Sequence, residues 1–169
     1  EFENAINRLQ WNPPRKGLTK WDQRFLRLAR EISTWSKDPS TKVGAVIADS
    51  QRRVISLGFN GLPQGATDDL ALLENREEKY ERIIHAEVNA ILFARQPLNG
   101  ATIYTYPFPP CSRCASIIVQ SGIRTIISLD PPDELRERWA LSLERAANTI
   151  YQAGASLIIG KAQELEQDE

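Results

Sequence analysis

The two cysteines and the single histidine of this chain constrain its fold more than any other feature. Cys111 and Cys114 are three residues apart, directly after two prolines and at the start of an apolar stretch with helical spacing. Both sulfurs are therefore expected on one face of a first helical turn, where free backbone N–H groups and the helix dipole favour thiolates. His85 also begins a predicted helix, and Glu87 follows about 200° around its axis. These two side chains can converge only on a group placed over the end of that helix.

This set of side chains limits the kind of metal site that the chain can form. A structural zinc takes four protein ligands, most often Cys or His, whereas a catalytic Cys₂His site takes three and leaves the fourth position to water. The chain has three such residues, which fits the catalytic case. Each part alone has a plainer explanation: Cys-x-x-Cys also occurs in redox pairs, a lone histidine is usually structural, and Glu87 is otherwise a surface residue. Together the parts match the H-x-E…P-C-x-x-C pattern of zinc deaminases.

Length and charge narrow the class of protein further. The chain has 169 residues, with 21 Lys and Arg against 22 Asp and Glu, and a formal net charge of −1. This size is typical of one domain, and the charge gives no electrostatic support for binding nucleic acid. No apolar run reaches the roughly 18 residues of a membrane span, so we expect no membrane partner and a soluble, cytoplasmic protein. We assign 1–18 to an irregular N-terminal arm, 19–160 to the folded deaminase-like domain, and 161–169 to an acidic C-terminal tail that frays from 164 onwards.

The first part of the domain is predicted to form a helix and then a hairpin. Thr19 and Asp22 make an approximate capping box. The apolar residues behind it recur at alternating spacings of four and three, which predicts a buried helical stripe that ends near Pro39. The stripe comprises Trp21, Phe25, Leu28, Ile32 and Trp35. Residues 43–48 and 54–59 are short, apolar and β-branched, and a polar turn joins them, which predicts an antiparallel hairpin.

The rest of the domain is predicted to alternate between helices and strands. Helical patterns cover 70–95, 111–121 and 133–152, and strand patterns cover 102–106, 124–129 and 156–159. In the last helix the side chains expected to point inward are Leu135, Trp139, Leu143 and Ile150. This order of elements predicts an α/β fold, with a mixed sheet of about five strands covered by helices.

Four sequence blocks resemble the deoxycytidylate deaminase family of the cytidine deaminase superfamily. They are SKDPSTKVGAVI at 36–47, GFNGLPQGATDD at 58–69, HAEVNAI at 85–91 and PCSRCASIIVQSGI at 110–123. The resemblance implies a cytidine deaminase-like three-layer fold and zinc-dependent hydrolysis of dCMP to dUMP and ammonia, a step towards dTTP. It also implies one catalytic Zn²⁺ on His85, Cys111 and Cys114. Glu87 would then move protons from water to N3 of the pyrimidine and to the departing ammonia.

The same resemblance suggests residues that bind the substrate, each with a plainer alternative. Asn60 is expected to hold the sugar or the base, although Asn-Gly is also common in turns. The candidates for the 5′-phosphate are Ser36, Lys37, Ser40 and Asn89, which a solvated loop or a local cap would explain equally well. Tyr104 and Tyr106 alternate onto one strand face, so Tyr106 is a candidate for stacking on the base while core packing is the alternative. Phe108 lies in an approach to Cys111 that an extra proline lengthens, and it is expected to border the base pocket.

In this family a Gly-Phe/Tyr-Asn-Gly loop is associated with an allosteric nucleotide site, activated by dCTP and inhibited by dTTP. The matching residues are Gly58, Phe59, Asn60 and Gly61, with Arg76 and Lys79 as candidate partners of a triphosphate carrying Mg²⁺. A solvated, charged helix face over 74–79 explains the same cations. Such regulation accompanies a homo-oligomer, so the resemblance implies a hexamer or a dimer.

Other classes of function compete with this interpretation. A deaminase acting on a base within a polynucleotide is disfavoured by the net charge and by the lack of a long basic arm. A deaminase of another free or modified cytosine nucleotide or nucleoside would share the whole metal motif. A scaffold or redox protein is disfavoured because Glu87 is retained together with all three candidate ligands. The sequence therefore favours an enzyme, with dCMP as the expected substrate.

Overall fold

A mixed five-stranded sheet organises the computed structural model, which describes residues 17–167. Its strands are β1 (Gly44–Ala48), β2 (Val54–Phe59), β3 (Thr102–Tyr106), β4 (Thr125–Leu129) and β5 (Ser156–Gly160). They lie in the order β2-β1-β3-β4-β5, with β1 antiparallel to both of its neighbours and β3, β4 and β5 parallel. The predicted hairpin and the predicted α/β fold with a mixed sheet are both confirmed. Most of the expected N-terminal arm lies outside the described residues.

Helices cover both faces of this sheet, as three layers require. They are α1 (Lys20–Ser33), α2 (Leu70–Glu74), α3 (Arg76–Arg82), α4 (Ala86–Phe93), α5 (Ser112–Gln120) and α6 (Asp133–Gln152), followed by a 3₁₀ helix (Ala162–Glu166). One apolar cluster joins α4, α5 and α6 to the sheet face that presents Ile47, Ile103 and Ile126. A second cluster packs Phe25 and Leu26 of α1 against the opposite face. No helix within 17–167 is both long and apolar enough to cross a bilayer.

The first helix begins where its capping box predicts and ends earlier than expected. Thr19 Oγ1 accepts from the backbone N–H of Asp22, and the Asp22 carboxylate accepts from that of Thr19. The helix ends at Ser33 and not near Pro39, because the N–H groups of Thr34 and Trp35 bond back to the carbonyls of Glu31 and Ile32 in a closing turn. The prediction that Trp21 and Trp35 are buried was wrong: Trp21 lies within the helix and is 36% exposed. Trp35 lies beyond the helix and is 55% exposed.

The helix-rich region 70–95 consists of three separate helices. Asn75 has extended backbone angles, ends α2 and caps α3 by accepting from the N–H of Glu78. Ile84 then pairs in both directions with Gly61, at N···O distances of 3.1 and 2.8 Å, and so interrupts the helical path before α4. The two breaks separate α3 from the sheet-packed α4 and let its side chains face a cavity.

The C-terminal part differs from expectation in two ways. Leu143 and Ile150 of α6 lie in the core as predicted, but Leu135 and Trp139 are only half-buried and line a cavity. As far as residue 167 the tail is folded and not frayed from 164, because the 3₁₀ helix there buries Leu165 against α1. The acidic composition of the tail predicted a solvated segment, although the buried Leu165 attaches it to the domain.

Candidate metal centre and active-site cavity

Two helix N-termini bring the candidate ligands together. His85 is the N-cap residue of α4, and Cys111 is the N-cap residue of α5. Helix α4 packs closely on β2: a Cβ atom added at Gly58 would lie only 2.3 Å from the Ala86 carbonyl oxygen. Glycine at this position therefore allows the close approach that places His85 opposite the cysteines.

The geometry of the three side chains fits zinc. His85 Nδ1 lies 3.2 Å from Cys114 Sγ and 3.5 Å from Cys111 Sγ. All three ligand atoms are within 4.8 Å of one another. Ligand atoms of a tetrahedral zinc with Zn–S of about 2.3 Å and Zn–N of about 2.1 Å are separated by roughly 3.5–3.8 Å. Two sulfurs and one imidazole nitrogen at these separations match a Cys₂His site.

The protonation of the three groups is interdependent. A hydrogen bond from the Cys114 thiol, together with one to His85, holds the pKa of Cys111 well below its usual range. The same sulfur–sulfur hydrogen bond, together with burial, raises the pKa of Cys114. The hydrogen bond to Cys111 raises the pKa of His85 in spite of burial. A cation binds thiolate and neutral imidazole groups, so its binding at these three side chains would release protons.

Glu87 lies in the first turn of α4 and faces the same cavity as His85. Its residue surface is 3% exposed, and burial raises the pKa of its carboxyl group. A carboxyl group that holds its proton more tightly than usual is suited to both accepting and donating a proton near neutrality. Glu87 is not part of the His85–Cys111–Cys114 cluster that could hold a metal.

A cavity of about 210 Å³ opens above these residues. Its floor is formed by His85, Glu87 and Cys111. Its walls come from the 38–43 segment, from α3 and from the first half of α6. The residues that line these walls include Asp38, Ser40, Thr41, Val43, Asn60, Arg76, Lys79, Tyr80, Phe108, Leu135, Arg138 and Trp139.

Five of the residues singled out from the sequence as substrate or effector contacts line this cavity: Ser40, Asn60, Arg76, Lys79 and Phe108. Asn60 is buried and bonds the backbone on both sides, with Oδ1 accepting from Val43 and Nδ2 donating to the Thr41 carbonyl. Phe108 packs against Trp139 with ring centroids 6.0 Å apart. The alternative of a solvated helix face was wrong for Lys79, which is buried.

Four other substrate-binding candidates do not line this cavity. Ser36 is buried and donates to the Asn60 carbonyl, while Lys37 is exposed and pairs with Asp68. Asn89 donates to the Phe59 carbonyl on the far side of α4. Tyr106 packs in the cluster on the α1 face, because strand alternation turns it away from the face that α4 and α5 cover.

The Gly-Phe-Asn-Gly loop separates two cavities. Gly58 is packed under α4, whereas Phe59 and Gly61 line a second cavity of about 280 Å³. Asp38 and Asn60 line both cavities and so form the partition between them. Arg76 and Lys79 line the first of these cavities and do not line the second.

Sequence reasoning missed the contribution of α6 and the pairing of Lys79. Arg138 lines the cavity and donates from Nη2 to the Tyr80 hydroxyl at 3.3 Å. Lys79 Nζ lies 3.1 Å from Asp38 Oδ1. The apolar stripe of α6 predicted that Trp139 faces inward, but it did not predict that Trp139 lines a cavity. No local pattern signals that Arg138 lines the same cavity.

Comparison with known proteins agrees with this geometry. The family model described as the cytidine and deoxycytidylate deaminase zinc-binding region matches residues 19–129. An uncharacterized deaminase in the luxG 3′ region of Aliivibrio fischeri is 41% identical over 140 residues, which cover 83% of this chain and 93% of that protein. A probable deoxycytidylate deaminase of Caenorhabditis elegans is 40% identical, covering 80% and 71%. The dCMP deaminase of cyanophage S-TIM5, solved with dCMP and dUMP, shares the fold with a TM-score of 0.67 at 18% identity, covering 84% and 98%.

Proposed function

The chain belongs to the cytidine and deoxycytidylate deaminase family, and we propose that it hydrolyses dCMP to dUMP and ammonia, a reaction that supplies a precursor of dTTP. One observation carries this proposal: a single cavity has His85, Glu87 and Cys111 at its floor and two arginines, Arg76 and Arg138, on its walls. The metal ligands and Glu87 suit the attack of water on a ring carbon. The two arginines suit binding of the phosphate of a mononucleotide.

His85, Cys111 and Cys114 would hold the zinc, since their donor set and spacing fit it. When bound, zinc supplies a Lewis acid that lowers the pKa of a water molecule towards neutrality. The chain's own contribution is to orient the ligands. Two helix N-termini fix His85 and Cys111, and the positive ends of the helix dipoles favour thiolate sulfurs.

Glu87 is assigned the proton transfers of the reaction. The overall change consumes one water and releases ammonia, so one proton must reach N3 of the ring and another must reach the amino group that leaves C4. Glu87 is buried in the lining of the cavity beside the ligands, and the other carboxylate that lines it within 17–167, Asp38, is paired with Lys79. Its position and the raised pKa of its carboxyl group support this role.

Phe108 and Trp139 are assigned to contact the pyrimidine base of the substrate. The two rings form an apolar wall of the cavity, with centroids 6.0 Å apart. A flat pyrimidine gains contact area against such a wall. Asn60 supports the opposite side, where its hydrogen bonds to Thr41 and Val43 fix the partition.

The phosphate is assigned to Arg76 and Arg138. Both side chains are exposed at the cavity wall, and among residues 17–167 no carboxylate pairs with either of them. Guanidinium groups bind phosphate with charge-assisted hydrogen bonds, which are stronger than neutral ones. The Tyr80 hydroxyl accepts a hydrogen bond from Arg138, and both residues line the cavity.

The test is a panel assay of ammonia release from dCMP, CMP, deoxycytidine, 5-methyl-dCMP and dAMP. We expect dCMP to give the highest kcat/KM. In Arg138→Ala, loss of a charged hydrogen bond of roughly 1.5–3 kcal/mol should raise the KM for dCMP about 10- to 150-fold. The kcat/KM for deoxycytidine should stay unchanged, because deoxycytidine has no phosphate. Arg145→Ala is the matched control, an exposed arginine on the same helix that does not line the cavity. Deoxycytidine turnover equal to that of dCMP would contradict the proposal.

We further propose that dCTP activates and dTTP inhibits the enzyme, with Mg²⁺ bound to the triphosphate, in a homo-oligomer. The second cavity supports an effector site, because it shares Asp38 and Asn60 with the catalytic cavity. Lys37 is a cation on its wall. An effector that contacts the partition differently in two states would change substrate affinity.

For this regulation we expect dCTP to lower the apparent KM for dCMP by roughly 5- to 150-fold, the usual size of allosteric coupling. dTTP should oppose this effect. The measurement is a set of dCMP saturation curves with dCTP, with dTTP and with neither, each with Mg²⁺. Three superimposable curves would show an unregulated deaminase and would leave the loop as the rim of the pocket.

A further inference from the structure

Helix α3 is docked by a lysine and not by an apolar face. Of its seven residues, Lys79 is the one that is buried. The Lys79 side chain is 9% exposed and its partner, the Asp38 side chain, is 4% exposed. Nζ of Lys79 lies 3.1 Å from Asp38 Oδ1 and 2.7 Å from Ser40 Oγ. A lysine this deeply buried requires a partner, and the Asp38 carboxylate supplies it.

Asp38 is itself fixed by the loop in which it lies. Its Oδ1 accepts from the backbone N–H of Ser40 at 2.9 Å and of Thr41 at 3.2 Å. Burial raises the pKa of the Asp38 carboxyl group, but these hydrogen bonds and the one from Lys79 outweigh it and hold the pKa below its usual value. The ionised carboxylate is therefore a rigid acceptor that belongs to the 38–43 wall of the cavity.

Few other contacts locate α3. Among the elements that the structure describes, α3 makes extended contact only with the five-residue helix α2. Yet Arg76, Lys79, Tyr80 and Ile83 recur on one face of α3 and line the cavity. The position of this wall thus depends on the Asp38–Lys79 ion pair, on the Ile84–Gly61 pairing and on the Arg138–Tyr80 hydrogen bond.

We propose that Asp38 and Lys79 are positioning residues: their ion pair docks α3 on the 38–43 segment. The ion pair thereby determines where Arg76 and Tyr80 lie relative to the bound substrate. This inference rests on the proposed function, since it assigns the specificity of the same cavity. Lys79 is not a phosphate ligand here, because Asp38 already neutralises its charge and Ser40 occupies a further donor.

Loss of the Asp38–Lys79 ion pair is therefore expected to weaken substrate binding without changing the chemical step. His85 and Glu87 are held by α4, and Cys111 and Cys114 by α5, so displacing α3 leaves them in place. Loss of the ion pair should raise KM and leave kcat and zinc content close to wild type. A residue needed only for general folding would lower zinc content and kcat as well.

The experiment is a double-mutant cycle of Lys79→Met, Asp38→Asn and the double variant, with Arg82→Met as a control. Arg82 is an exposed cation on α3, paired with Glu78 and outside the catalytic cavity. We expect each single variant to raise the KM for dCMP, and the Kd for dUMP by calorimetry, on the order of tenfold. The double variant should be no worse than either single variant, because both lose one shared interaction. It also buries no unpaired charge, so we expect it to remain folded even if a single variant does not.

Two results would overturn the inference. Lys79→Met that weakens dUMP binding while Asp38→Asn does not would show that Lys79 contacts the phosphate directly. Multiplicative effects in the double variant would show that the two residues act independently. Wild-type protein that does not deaminate dCMP would instead refute the proposed function. The Kd for dUMP needs no turnover, so calorimetry on the three variants tests the ion pair in that case too.

Discussion

Replacing Glu87 with glutamine is expected to leave the fold and the zinc content unchanged while kcat for dCMP falls by about 10²- to 10⁴-fold. Glutamine has nearly the same shape and fills the same buried place, but it cannot accept and return a proton. Glu87 lies outside the candidate ligand set, so its carboxylate is not needed to hold the metal. The effect should fall on kcat and not on KM, since a proton transfer is completed only in the transition state.

The measurements are steady-state kinetics and zinc analysis on the same sample. Glu31→Gln is the control, because Glu31 is an exposed glutamate on α1, on the opposite face of the sheet. Its kcat should equal that of wild type. A zinc-loaded Glu87→Gln protein with wild-type turnover would refute the assigned role and move the proton transfer to another group.

The sequence predicted those parts of the site that depend on local geometry. A cap residue is defined by its own helix, so the helix-initiating positions of His85 and Cys111 could be inferred from the residues that follow them. The three-residue spacing of the cysteines fixed their common face in the same way. The capping box of Thr19 and Asp22 and the β-branched hairpin are likewise short-range features.

The incorrect predictions concern features that depend on tertiary contacts. A periodic apolar stripe does not show where its helix stops, so Trp35 was assigned to a helix that Thr34 had already capped. Strand alternation indicated that Tyr104 and Tyr106 share a face but not that α1 covers that face. Neither ambiguity can be removed without knowing which helix packs on which side of the sheet.

Ion pairs and cavity walls are still less visible in the sequence. Asp38 and Lys79 are 41 positions apart, and Tyr80 and Arg138 are 58 apart. A lysine in a charged segment is usually solvated, so only the fold shows that Lys79 is buried. The residues proposed to bind phosphate and to position α3 therefore came from the structure, while the metal ligands and Glu87 came from the sequence.

The second large effect concerns the metal. Cys111→Ser is expected to reduce the zinc content from about one ion per chain to a small fraction, because a catalytic site with three protein ligands has none to spare. A ligand at 100 times its Kd stabilises a fold by about 2.7 kcal/mol. For a domain of this size each kcal/mol shifts Tm by about 2–4 °C. Loss of zinc should therefore lower Tm by roughly 5–11 °C and abolish deamination, whereas Ser116→Ala, on an exposed face of α5, should do neither.

A chelator separates this effect from simple damage to the helix. Adding a strong zinc chelator to wild type should lower its Tm towards the value of Cys111→Ser, because both treatments remove the stabilisation that the bound metal provides. The same chelator should leave the Tm of Cys111→Ser unchanged. Full zinc occupancy in Cys111→Ser would show that Cys111 is not a ligand, and the deaminase chemistry would then have to be assigned to a different set of residues.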